Sequence, residues 1–228
     1  MSKAPIPQCI GIIMDGNRRF AKEENKDPWE GHRAGAETLK TVVSAAQEKG
    51  IRHLIFYTLS TENWKRDPKE VEFLLALLKE FFTAYLPEAI EKGTRIRIAG
   101  QKERFPEDVQ AVFSDAEERT KNAASLTVWF ALSYGGRAEI LQAVNALVRA
   151  GVEEVSEEMF EARLWTAGMP DPDLIIRTGG EIRLSNFLPW QSVYSELFFT
   201  DTYWPAFTKD EFHSILEAYA SRARRFGR

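Results

Sequence analysis

Short apolar runs alternate along this chain with longer segments of helical spacing, and that alternation narrows the fold more than any other feature. Residues 9–14 (Cys-Ile-Gly-Ile-Ile-Met), 54–59, 95–100, 126–132, 173–177 and 194–200 read as strands. Residues 35–49, a segment opened by Pro68 and running from 71 to 85, and residues 106–122, 138–150 and 209–224 read as helices, with a further short one starting after Ser156. Strands that alternate with helices need crossover connections, which build parallel sheets. The expected fold is therefore α/β: a single domain over residues 1–228 with a mainly parallel central sheet flanked by helices.

Composition agrees with a globular chain, at 44% hydrophobic and 28% charged residues, enough for a substantial core. The formal net charge of -4 argues against a nucleic-acid surface, although local clusters can still bind anions. Cys9 is the single cysteine and sits in an apolar run, so it reads as a buried, inert thiol. The start shows no secretory leader, and the longest apolar stretches fall short of the roughly 20 residues that span a bilayer. A cytoplasmic location is the expectation.

Ligands of open parallel sheets collect beyond the carboxyl ends of the strands. The unusual polar residues of this chain fall at those ends: Asp15-Gly16-Asn17-Arg18-Arg19, Ser60-Thr61-Glu62-Asn63-Trp64-Lys65-Arg66, Tyr134-Gly135-Gly136-Arg137, and the run from Arg177-Thr178-Gly179-Gly180 to Asn186. Glycine lets backbone N–H groups approach an anion, and arginine offers a planar fork to phosphate oxygens. Asp15 and Glu196 are hard oxygen donors of the kind magnesium uses when it bridges a carboxylate and a phosphate. Together these point to a substrate carrying one or more diphosphates. The common nucleotide loops and a hydrolase nucleophile elbow are absent, as is the aspartate-rich pair of the all-helical prenyltransferases.

Five ordered strings resemble the cis-prenyltransferases. They are Ile13-Met14-Asp15-Gly16-Asn17-Arg18-Arg19, Gly31-His32-Arg33-Ala34-Gly35, Ser60 through Arg66, Arg177 through Phe187, and Ser195-Glu196-Leu197. The resemblance runs from about residue 10 to the end of the sequence. It implies a homodimer that condenses isopentenyl diphosphate onto an allylic diphosphate primer such as farnesyl diphosphate, with Mg2+ as cofactor and Z double bonds in the product. Carried over by residue, Asp15 would organise the metal and the allylic diphosphate. Gly16, Asn17, Arg18, Arg19, His32 and Arg66 would complete that half. Arg177, Arg183 and Ser185 would hold isopentenyl diphosphate, Glu196 would help place the metal, and Asn63 and Trp64 would lie between the halves with Ser60 and Glu62 beside them. Asp15, Asn63 or a substrate phosphate would take the proton released. The segment Arg224-Arg225-Phe226-Gly227 would reach toward the partner subunit.

Two positions depart from the family pattern. Pro28 replaces a frequent arginine, so one phosphate contact is either missing or supplied by Lys22, Lys26 or Arg18, and Ile182 replaces a frequent histidine. The apolar helix from 71 to 85 is expected mostly to pack on the sheet, with Leu74, Leu78, Phe81 or Phe82 touching product and Thr58 near a length-limiting position. The expected product is medium to long, such as undecaprenyl diphosphate, released with peripheral contact to a membrane. A product of farnesyl to geranylgeranyl length is the alternative. A non-catalytic partner subunit is disfavoured because Asp15, Arg19, Arg177 and Arg183 are all present, and a binder of another phosphometabolite ranks equally low.

Overall fold

The computed structural model describes residues 6–222. Six strands form one sheet: β1 (Cys9–Ile13), β2 (His53–Ser60), β3 (Thr94–Ala99), β4 (Leu126–Tyr134), β5 (Leu174–Arg177) and β6 (Glu196–Phe199). Their order is β3-β4-β2-β1-β5-β6, and every adjacent pair is parallel, so the sheet is wholly rather than mainly parallel. Seven helices accompany it: α1 (Asn17–Glu23), α2 (Pro28–Glu48), α3 (Pro68–Glu91), α4 (Glu107–Thr120), α5 (Gly136–Arg149), α6 (Glu157–Glu161) and α7 (Lys209–Ser221). The segment 224–227 lies outside the described residues.

The two sheet faces are covered differently. Leu39, Val42 and Val43 of α2, Leu78, Phe81, Phe82 and Tyr85 of α3, Phe113 of α4 and Phe212 of α7 pack with Ile10, Ile12, Leu54, Phe56, Val128 and Phe130 of the strands. Phe187 and Leu188, from the segment after β5, close the other face against Ile13, Ile55, Trp129 and Ile175. Each fully buried aromatic of this kind contributes roughly 1.5–3 kcal/mol of transfer free energy. The chain leaves β1 toward one face and β5 toward the other, so a crevice opens beyond their carboxyl ends.

Three elements extend past the sequence reading. Helix α1 follows directly on the Asp15-Gly16-Asn17 turn, and with only Ala21 buried it leaves no apolar spacing in the sequence. Helix α2 begins two turns early at Pro28: Asp27 caps it, and the Asp27 N–H donates to the Glu30 carboxylate at 3.0 Å. Helix α3 continues beyond Tyr85 and through Pro87, since Leu86 and Ala89 keep its buried face packed. Its start matches the reading, with Asp67 accepting the Lys69 N–H at 2.9 Å and Pro68 following the cap.

Helices α1 and α2 meet at a bare backbone surface. A Cβ on Gly35 would stand 2.3 Å from Asn17 Oδ1 and 2.8 Å from Trp204. The Gly35 carbonyl accepts the Trp204 indole N–H at 2.8 Å, which pins α2 to the start of the last helical layer. Gly35→Ala should therefore push Asn17 and the loop after β1 out of place. We expect a loss of about 1–3 kcal/mol in unfolding free energy, read from denaturant melts. An unchanged midpoint would show that this contact has slack.

Candidate active site

The polar ends of β1, β2 and β5 converge because register brings them level. Ile13 pairs with Tyr57 on one side and with Arg177 on the other. Asp15 lies two residues further on. Its Oδ2 accepts from Arg177 Nη2 at 2.8 Å, and its Oδ1 faces Arg19 Nη2 at 3.2 Å. The Asp15 N–H donates to Thr178 Oγ1 at 3.0 Å, and the Thr178 hydroxyl donates to the Asp15 carbonyl at 2.8 Å. Gly16 caps α1 with φ 104°, a left-handed turn that suits glycine and aims the first turn of α1 into the crevice.

Arg177 is 4% exposed, yet its Nε finds no acceptor among the described residues. Its Nη1 donates to Ser185 Oγ at 2.8 Å and to the Arg183 carbonyl. A buried guanidinium with a spare N–H fits a site built for an added anion.

Around this pair lies a cavity of about 1200 Å³. Asp15, Gly16, Asn17, Arg18, Arg19, His32, Ser60, Glu62, Asn63, Arg66, Arg177 and Ser185 all line it. Its inner limb is apolar, walled by Leu39, Leu59, Leu74, Leu77, Leu78, Phe81 and Phe130. Phe82 is not part of that wall; it is fully buried against Phe113 and Phe130. Pro28, Lys22 and Lys26 share the mouth with Arg18, so cations stand beside the position where the arginine is missing. Thr58 lines the cavity as well.

Besides Phe82, three site residues named from sequence are not brought to this wall. Trp64 turns away: its indole N–H donates to Ser133 Oγ at 2.8 Å, and its ring borders a smaller hollow with Val71 and Leu75. The Arg183 guanidinium is mostly exposed and paired with Glu181, so only its carbonyl serves the site. Glu196 opens β6 opposite Leu174, at the amino end of the sheet, and is held by Arg222 at 2.7 Å. Five strand residues separate that level from Asp15, about 16 Å at the usual rise, so within one chain the two carboxylates cannot share an ion.

Other residues enter unannounced by the sequence reading. Glu70, buried in the first turn of α3, accepts from Arg66 at 2.7 Å and Arg18 at 3.5 Å and so sets both guanidinium groups at the mouth. The Arg66/Glu70 spacing of four on a helix entry was the available signal. Tyr57 donates its hydroxyl to the Ser185 carbonyl at 3.2 Å, and burial pushes that phenol up, so it stays a neutral donor. Asn186 reaches the cavity too. Burial opposes the charge on Glu62, but hydrogen bonds from its own backbone, Ser60, Asn186 and Thr61 outweigh this and leave its carboxyl below the usual range. A carboxylate so engaged cannot donate to phosphate, which makes Glu62 a support for its loop rather than a phosphate ligand.

His32 is the clearest electrostatic reading of the mouth. Burial first, then Arg66 and Arg18, push it down to about 4, with Glu70 opposing. Its Nε2 is buried without a hydrogen-bond partner among the described residues. The imidazole is thus neutral near pH 7, in a setting whose net pull is toward an anion.

Similarity to known proteins agrees with this geometry. A family model described as a putative undecaprenyl diphosphate synthase matches residues 13–227. An isoprenyl transferase of Bacillus anthracis is 42% identical over 100% of this chain and 90% of that protein. One from Streptococcus pneumoniae R6 is 45% identical over 97% of this chain and 92% of that protein. Among solved structures, lavandulyl diphosphate synthase from Lavandula x intermedia, in complex with dimethylallyl diphosphate, superposes with a TM-score of 0.93 at 33% identity, covering 98% of this chain and 99% of that one. A probable undecaprenyl diphosphate synthase from Campylobacter jejuni gives 0.84 at 32% identity, covering 98% and 100%. The chain belongs to the undecaprenyl diphosphate synthase family of isoprenyl transferases.

The His32 environment has a measurable sign. The unfolded chain protonates the ring near 6.5 and the folded chain near 4, so stability from this group is present above 6.5 and is lost as pH falls toward 4. We expect NMR titration of His32 to give a value near 4 in the free protein and a clear rise with inorganic pyrophosphate bound. A titration near 6.5 that pyrophosphate does not move would contradict this arrangement.

Proposed function

We propose that this family member condenses isopentenyl diphosphate onto an allylic diphosphate such as farnesyl diphosphate, using Mg2+, to form a medium-to-long Z-polyprenyl diphosphate such as undecaprenyl diphosphate. One observation carries the reading: a single cavity joins a cationic mouth, divided by the Asp15–Arg177 pair, to an apolar limb along α3. Its volume of about 1200 Å³ exceeds the ~300–1,000 Å³ of ordinary ligand pockets, as a site for two diphosphates and a hydrocarbon should.

The division of labour follows the cations. The α1 start, Arg18, Arg19, His32 and Arg66 would receive the allylic diphosphate, and Arg177 and Ser185 would receive isopentenyl diphosphate. Asp15 would hold magnesium; one carboxylate together with substrate phosphates and water is a usual magnesium arrangement, and no cluster of three candidate ligands exists among the described residues. When bound, the ion would neutralise charge on the departing diphosphate.

In the reaction the allylic C–O bond breaks and the diphosphate leaves with the electron pair. The isopentenyl double bond attacks the allylic carbon, and a proton departs to form the new double bond. The guanidinium groups stabilise the growing negative charge without reorganising, and the cavity holds the two carbons in line. Asn63 is a neutral amide whose Oδ1 already accepts the Ser60 N–H at 2.9 Å, so it shapes its turn rather than taking the proton. The departing diphosphate gains charge as the bond breaks and is the best-placed acceptor. A diphosphate held at the mouth puts the lengthening chain against Leu74, Leu78 and Phe81. Thr58, of middling bulk, leaves the limb open beside β2.

A homodimer in the cytoplasm completes the proposal. An exposed stripe of Leu141, Val144 and Val148 on α5 is the kind of face a second copy would cover. Among the described residues no helix is long and apolar enough to cross a membrane, so product release would rest on peripheral contact with lipid.

Purified protein given labelled isopentenyl diphosphate, magnesium and primers of several lengths should incorporate label and yield long products. Failure to incorporate label with any primer would refute the reading, and products stopping at farnesyl or geranylgeranyl length would replace its chain-length part. Asp15→Ala should cut turnover by about a hundredfold or more while the circular dichroism spectrum stays native. Near-normal turnover would remove Asp15 from its assigned role.

A further inference from the structure

We infer that Asn186 is a positioning residue that locks the isopentenyl half of the site to the loop after β2, through a side-chain clasp with Glu62. This inference rests on the isoprenyl-transfer reading above. Ser185, Asn186 and Leu188 all have positive φ, at 50°, 68° and 49°, which is rare for residues other than glycine. Such a run persists only where its surroundings hold it. Asn186 provides most of that hold. Its carbonyl accepts the Gly136 N–H at 2.8 Å, and its Oδ1 accepts the Arg137 N–H at 2.9 Å, which satisfies two free donors at the start of α5. Its Nδ2 donates to Glu62 Oε1 at 3.1 Å.

The amide orientation follows from these partners: one side faces a backbone N–H and must be oxygen, and the other faces a carboxylate and must be nitrogen. Gly135 leaves the room for it, since a Cβ there would stand 2.7 Å from Asn186 Nδ2 and 2.6 Å from Thr61 Oγ1. Three strand-end loops thus meet at one side chain. The residue just before it, Ser185, takes the Arg177 fork at its hydroxyl and the Tyr57 hydroxyl at its carbonyl. Displacing Asn186 therefore moves Ser185 and removes one of the two acceptors of Arg177 Nη1, while α1 and His32 make no hydrogen bond to Asn186 and Arg66 is joined to it only through the Glu62 loop.

The test swaps donor and acceptor. Asn186→Asp keeps the acceptor for Arg137 but sets a second carboxylate against Glu62. Its KM for isopentenyl diphosphate should rise about tenfold, with the KM for the allylic primer moving much less. Adding Glu62→Gln to that variant restores a donor facing an acceptor and should recover most of the loss relative to Glu62→Gln alone. Asn186→Gly, which tolerates the left-handed backbone, should raise the same KM and gain nothing from Glu62→Gln. Thermal midpoints of all variants guard against simple unfolding. If Asn186→Asp does not fold, Asn186→Gly with and without Glu62→Gln still carries the test. Independent effects of the two positions, or equal changes in both KM values, would overturn the clasp. An inactive wild-type enzyme would instead overturn the transfer reading itself, and pyrophosphate affinity of the same variants would then decide the clasp.

Discussion

The Asp15–Arg177 ion pair ties the end of β1 to the end of β5 and thereby sets where everything else in the site stands. Its guanidinium is nearly sealed from water while its carboxylate is about a third exposed, so the pair presents one wet face to the cavity. Removing Asp15 would leave the buried Arg177 guanidinium without its complement, at a cost of up to about 3–5 kcal/mol. The exchange of hydrogen bonds between Asp15 and Thr178 fixes the same junction through the backbone. Arg19 on one side and Ser185 on the other are oriented by this pair, so the two halves of the mouth are built around a common hinge point.

Charge is arranged around that junction in graded fashion. Arg18 and Arg66 lean on Glu70 at the cavity wall, and burial first, with their field behind it, keeps His32 neutral. Arg177 Nε and His32 Nε2 are buried with no hydrogen-bond partner among the described residues, and both residues line the cavity. Below the mouth the wall turns apolar within a single turn of α3, from the Glu70 level to Leu74. A molecule with a charged head and a hydrocarbon tail satisfies both regions at once.

Much of this was legible in the sequence because the strand ends carry it. A buried parallel strand reads as an unbroken apolar run, and the polar residues that interrupt it mark the ligand edge of the sheet. That logic located Asp15, the Ser60 loop and Arg177 correctly in the crevice. It failed where contact depends on direction rather than position. Trp64 and Arg183 sit in the right loops but turn away from the cavity, Trp64 inward to the buried Ser133 and Arg183 outward to Glu181. Glu196 stands at the start of β6, at the opposite end of the sheet from Asp15, which sequence order alone does not reveal. Glu70 and Asn186 take no role from the sequence alone since each acts through other side chains; spacing of four links Glu70 to Arg66, but a linear pattern carries no signal of partners 52 or 124 residues away.

The most direct measurement is a crystal structure with isopentenyl diphosphate and an unreactive allylic diphosphate analogue bound together. The account requires the allylic diphosphate against the start of α1 with Arg19 and His32, the isopentenyl diphosphate against Arg177 and Ser185, and the Asp15 carboxylate between them. Both diphosphates on the same side of the Asp15–Arg177 pair, or either one bound away from the crevice, would contradict it.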